Sequence, residues 1–176
     1  MAEFLFITPL QLTQNTIISG NIDIDKYIYC VAEAQISVIE PMLGTELYDV
    51  ILAGAEADTL TGLYATLYTE FVKPITKLMA ASKYIHQSPY TLDNGGFYKH
   101  TSANSETVPK EEVEMISNDY ASFAQMYVQR FEKWICKNTI SEFKRSQDEV
   151  NAQNIKLNSG WYFGSGVGKD EDDLWD

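Results

Sequence analysis

Positive charge is scarce in this sequence. Thirteen Lys and Arg face 25 Asp and Glu, which leaves a formal charge of −12. A surface of that sign repels phosphate backbones, which argues against tight DNA binding through basic contacts. The partners it allows are a mostly basic protein, or DNA that must slide past without sticking. Cysteine is scarcer still. Cys30 and Cys136 are the two in the chain, each set in an apolar helical pattern, and they read as small buried hydrophobes rather than as a disulfide pair. No apolar run approaches the roughly 18 residues that would span a bilayer. Met1 to Leu10 lacks the basic start and cleavage pattern of a signal peptide. The expectation is a chain made in the cytoplasm, with no membrane partner.

What the sequence does have is apolar surface. Hydrophobic residues make up 45% of the chain and aromatics 12%, enough to offset the conformational entropy of one folded domain. The patterning is mostly helical. Thr8-Pro9 has the form of an N-cap followed by proline at the first helical position, opening a short helix through Thr16. Asp23 or Asp25 can cap the next, in which Ile24, Ile28, Val31, Gln35 and Val38 or Ile39 keep a 3–4 spacing. Pro41 predicts its end near Glu40, with a turn at Met42-Leu43-Gly44. A short helix through Leu47, Val50, Ile51 and Leu52 follows, and Gly54 is its expected terminator.

Leu60, Leu63, Tyr64, Leu67, Phe71, Ile75, Leu78, Met79 and Ser82 trace one face of a long helix from about Thr59 to His86. Pro74 lies inside it, so a bend near Glu70 or two abutting helices are predicted. Asp93-Asn94-Gly95-Gly96, between Tyr90-Thr91-Leu92 and Phe97-Tyr98, signals a small β-hairpin within a hairpin-and-loop region, 90–108. Pro109, Glu111, Glu112 and Glu114 then open a helix over about 109–138. Val113, Ile116, Tyr120, Phe123, Tyr127, Phe131, Trp134 and Ile135 form its expected buried stripe. Beyond Phe143 the chain turns polar, then glycine-rich around Trp161-Tyr162-Phe163, then acidic from Asp170 to Asp176. The predicted fold is mainly α: a helical bundle with two long helices and a small hairpin over 1–143, and an extended C-terminal arm over 144–176.

Catalytic equipment is missing from the pattern. His86 and His100 stand without HxxxH or CxxC spacing, so neither metal nor cofactor is expected. Gly164-Ser165-Gly166-Val167-Gly168 neither follows a strand nor opens a helix, and lacks the Gly-Lys-Ser/Thr of a phosphate loop. No nucleophile elbow supports a serine triad. The chain is not read as an enzyme.

Two aromatic groups remain to be explained. Trp161, Tyr162 and Phe163 cannot all face inward in a regular element, and leaving them wet forfeits about 1.5–3 kcal/mol each of burial. Either they fold back on their own domain as a lid, or they dock on a neighbouring subunit as aromatic anchors do. The long polar stretch before them favours docking. Phe97 and Tyr98, beside the Gly-Gly turn, pose the same choice between covering the hairpin and meeting a partner.

One resemblance orders these features. Phe6-Ile7-Thr8 precedes a short helix. Ile39-Glu40-Pro41-Met42-Leu43-Gly44 is followed by Leu47-Tyr48, and a long Leu/Tyr helix runs through Tyr84. Asn94-Gly95-Gly96-Phe97 and Asn158-Ser159-Gly160-Trp161-Tyr162 complete the series. In this order, over most of residues 4–164, the chain resembles the head–tail connector (neck ring or adaptor) proteins of tailed bacteriophages. It is most similar to those of Bacteroides-type hosts, including the crAss-like phages. The resemblance implies a dodecameric ring below the portal, bound to portal and other neck or tail proteins, with DNA passing unbound through the channel. It also implies contact roles for Tyr90–Thr101 and Asn151–Val167; the acidic tail matches nothing in it. The other reading of the same residues is a small helical adaptor or regulatory module that binds one protein partner.

Overall fold

A computed structural model describes residues 4–18, 20–93, 96–99 and 109–144, with the backbone alone over 90–93 and 96–99. The chain divides into two compact units, Met1–Phe143 and Lys144–Asp176. The expected arm falls in the second unit and, past Lys144, lies outside the described residues.

The first unit is mainly helical. Helix α1, Pro9–Thr13, starts as Thr8-Pro9 implies: the Thr8 hydroxyl accepts from the Gln11 N–H, and the Gln11 side chain accepts from the Thr8 N–H. A 3-10 turn, Ile24–Lys26, leads into α2, Ile28–Ala34. Pro41 does not end that helix, contrary to expectation. The chain passes through a π turn, Gln35–Ile39, into α3, Glu40–Leu43. Glu40, the residue before the proline, keeps helical dihedrals, and its N–H bonds back to the Gln35 carbonyl, five residues away. The wider turn makes room for the pyrrolidine ring, which would otherwise meet the carbonyl four residues back. Gly44, at φ +78°, makes the corner.

Helix α4, Thr45–Glu56, runs through Gly54 rather than stopping there. The actual stop is Asp58, at φ +52°. The Thr59 N–H returns to the Gly54 carbonyl and the Asp58 N–H to that of Ala55, the paired bonds of a Schellman end. Gly54 has a packing reason instead. A Cβ there would lie 2.4 Å from Leu60 Cδ2, so its bareness lets the chain fold back over the helix end.

The second long helix repeats the device of the first. Helix α5, Gly62–Leu67, continues through a π turn, Tyr68–Val72, into α6, Lys73–Gln87, with Pro74 just past the turn. The π turn includes Glu70, where a bend or break was expected. Tyr90–Asp93 (β1) and Gly96–Lys99 (β2) pair antiparallel, with Thr91 opposite Tyr98 and Leu92 opposite Phe97. Helix α7, Lys110–Ile135, carries Glu111 and Glu112 in its first turn and Lys133 in its last, each sign placed where the helix dipole favours it.

The buried side chains form two clusters that share Met79 at their boundary. The larger gathers Leu47 and Ile51 of α4, Leu67, Phe71 and Ile75 of helix 62–87, and Phe131 and Ile135 of α7. The smaller gathers Leu12, Cys30, Val31, Ala34, Ala80, Ala81 and Ile85. Small residues let α6 and α7 approach closely. The Ser117 hydroxyl donates to the Ser82 carbonyl at 2.9 Å, and the two hydroxyls lie 3.1 Å apart.

Phe6 is the keystone of the larger cluster. Its ring meets Tyr48 and Tyr68 edge to face at 5.6 and 5.8 Å. Its N–H donates to Gln35 Oε1 at 2.8 Å, Gln35 Nε2 donates to the Phe4 carbonyl at 3.1 Å, and the Tyr68 hydroxyl donates to the Phe6 carbonyl at 2.9 Å. Gln35 and Tyr68 are the first residues of the two π turns. The N-terminal segment, which has no regular partner strand, is thus satisfied by one side chain from each turn.

Candidate interaction surfaces

Chemistry inside the described fold is quiet. Among the described residues no group of three or more His, Cys, Asp or Glu is placed to hold a metal ion, and no buried side-chain nitrogen or oxygen lacks a partner. His86 is exposed near the end of α6, and His100 lies outside the described residues. The densest titratable group joins α2 to α6. Burial pushes the Cys30 thiol up to about 11 and the Tyr29 hydroxyl up to about 12. Both are therefore neutral at pH 7, and Cys30 is no nucleophile. Lys83 reaches Glu33 at 3.8 Å, and the Tyr29 hydroxyl donates to Gln87 Oε1. These bonds brace two helices.

Cys136 corrects the sequence reading. It lies one residue past the end of α7 and is exposed, whereas Cys30 is buried as expected. Among the described residues no helix is long and apolar enough to cross a membrane.

The outward faces carry more information. Phe123, expected in the buried stripe of α7, is 54% exposed, and Met115 and Met126 are each 59% exposed. At 100° per residue these three fall within an 80° sector of the helix. The buried line runs instead through Ser117, Ala124, Phe131 and Ile135, with Tyr120 and Tyr127 half-buried beside it. Past Met126 the same outer stripe becomes basic. Arg130, Lys133 and Lys137 are all exposed, and the Arg130 guanidinium lies over the Tyr127 ring at 5.1 Å.

The region before α6 has the opposite character. No Lys or Arg occurs between Lys26 and Lys73, while Glu33, Glu40, Glu46, Asp49, Glu56, Asp58 and Glu70 all fall there. Asp49, Val50, Ala53 and Glu56 are exposed together on one face of α4. Leu63, expected on the buried face of its helix, is also exposed.

Of the residues singled out as interface anchors, Phe97 and Tyr98 lie on β2, where only the backbone is described. Trp161, Tyr162 and Phe163 lie outside the described residues. The sequence reading passed over Met115, Met126 and the basic stripe. Their signal was available: charged and apolar residues recur at Met126, Arg130, Lys133 and Lys137 with helical spacing, on the side away from Phe131.

No curated protein and no solved structure matches the chain. A family model does match, over residues 39–152, from the first π turn through α7 and past the end of the first unit. That span is well over half of the chain, and the protein therefore belongs to DUF6712, a family of unknown function.

Proposed function

We propose that this chain is a structural virion protein: a subunit of a dodecameric ring in the neck of a tailed bacteriophage, linking portal to tail around the DNA channel. The observation that carries the reading is the division of labour on α7. Its inner face closes the core, while its outer face leaves Met115, Phe123 and Met126 in water beside a basic stripe. Phe123 and Met126 lie one turn apart, and exposed apolar surface of that kind on a helix marks a place where another protein sits. The order of motifs that resembles connector proteins supplies the kind of assembly.

In this reading the chain acts by holding neighbours and does no catalysis. The helical unit packs beside its copies. The hairpin region, with Phe97 and Tyr98, and the arm, with Trp161, Tyr162 and Phe163, reach the portal and other neck or tail proteins. The net charge of −12 keeps the duplex mobile in the channel. The protein is made in the host cytoplasm and ends in the virion.

Mass spectrometry of purified particles of the phage encoding the chain tests this. The expected result is the chain present at the copy number of the portal subunit. Particles that contain portal but none of this chain would overturn the proposal, and a partner captured at one copy would favour the adaptor reading.

A further inference from the structure

We infer that the outer face of α4 on one copy of the chain docks on the outer stripe of α7 on the next copy. The inference rests on the reading that the chain assembles with itself, and it names the two surfaces that meet. Each surface combines exposed apolar atoms with charge mainly of one sign, the exception being the exposed Asp119 one turn before Phe123 on α7. On α4, Val50 and Ala53 lie between Asp49 and Glu56, all four exposed. On α7, Phe123 and Met126 precede Arg130 and Lys133, again all exposed.

Neither surface can serve as its own partner. Two α4 faces would bring carboxylates against carboxylates, and two basic stripes would repel in the same way. Each is the complement of the other. Both helices turn their inner faces to the same buried cluster, through Leu47 and Ile51 on α4 and Phe131 and Ile135 on α7. Their outer faces therefore point away from the subunit. Two different, complementary patches on one chain make a head-to-tail contact, which closes into a ring when the rotation between copies permits.

The test is charge exchange in the full chain, read by sedimentation velocity over a concentration series at low and high salt. Wild-type protein is expected to self-associate at low salt, and at least about tenfold more weakly at high salt. Arg130→Glu/Lys133→Glu should weaken assembly at least about tenfold, and so should Asp49→Lys/Glu56→Lys. An equimolar mixture of the two should assemble again, because every contact in an alternating array is then complementary. A chain carrying all four substitutions should assemble alone. Circular dichroism identifies any variant that fails to fold, and the salt dependence of the wild-type protein and the assembly of the four-substitution chain remain informative in that case.

The inference falls if wild-type protein does not associate at any concentration, if reversal leaves assembly unchanged, or if folded variants fail to recover on mixing. It separates cleanly from the neck proposal. Recovery on mixing with no chain in particles keeps the interface and removes the neck. Chain in particles whose rings ignore charge reversal does the opposite.

Discussion

Helices 28–43 and 62–87 are interrupted alike, by a π turn of five residues with a proline two positions beyond it. In both, the residue before the proline stays helical and bonds five residues back. The first residue of each turn is put to a different use. Gln35 is fully buried and engages both an N–H and a carbonyl of the N-terminal segment. Tyr68 is half-buried, gives one bond to the Phe6 carbonyl, and keeps its ring under the Lys73 ammonium at 4.5 Å. One local device therefore supplies a buried clamp in one helix and a partly wet brace in the other. A polar side chain at a π turn matters in proportion to how much buried backbone it satisfies.

That contrast can be broken by substitution. Gln35→Leu keeps the bulk but strands the Phe6 N–H and the Phe4 carbonyl, and should destabilise the fold by about 3 kcal/mol in urea denaturation. Tyr68→Phe removes a single bond at a site water can reach, and should cost about 1 kcal/mol. Equal losses in the two variants would erase the distinction. Both bonds act on the Phe6 residue, so a double-mutant cycle between Gln35 and Tyr68 should show coupling of about 0.5 kcal/mol or more. Strict additivity would mean that the two turns hold the segment independently.

Sequence reading found the long helices and missed how they pack, for identifiable reasons. The 3–4 spacing of Leu67, Phe71 and Ile75 and of Tyr127, Phe131 and Trp134 was strong enough to place both elements. Phe123 was misplaced because apolar character was taken as burial. The close crossing of α6 and α7 selects small residues, so Ser117 and Ala124 occupy the inner line and Phe123 is left outside. Pro41 was read as a stop because a proline rule describes an unwidened turn, and the π turn that accommodates it has no composition of its own. Gln35 was on the correct stripe, yet its partners at Phe4 and Phe6 sit in a segment without helical or strand periodicity. Of the candidate surfaces, the charges of α4 and α7 were legible, but their pairing needed the inner faces to be known first. The aromatic anchors Trp161, Tyr162 and Phe163 remain a reading of the sequence.

Smaller effects sharpen the picture at the ends of helices. Asp58 holds a left-handed dihedral that glycine adopts without steric cost, so Asp58→Gly should stabilise the Schellman end by up to about 1 kcal/mol in thermal melts. The smallest expected effect is on pH dependence. The Tyr64 hydroxyl donates to Glu142 Oε2 at 2.7 Å, and that bond, aided by Ser141, holds the Glu142 carboxyl below its ordinary value. A carboxyl depressed in the folded state stabilises at pH above its unfolded value, and the contribution is lost as pH falls through the folded one. Tyr64→Phe should therefore lower stability at neutral and higher pH, leave it unchanged once Glu142 is protonated, and so flatten the acid side of the stability profile. Both residues are only partly buried, so solvent screens the bond and the difference will be slight.

Direct imaging of the neck tests the central proposal most sharply. Cryo-electron microscopy of intact particles, at a resolution that traces side chains, should show a closed ring of this chain between portal and tail. In that ring the α4 face of each copy should meet the α7 stripe of the next around the DNA path. A neck fully accounted for by other chains would contradict the proposal.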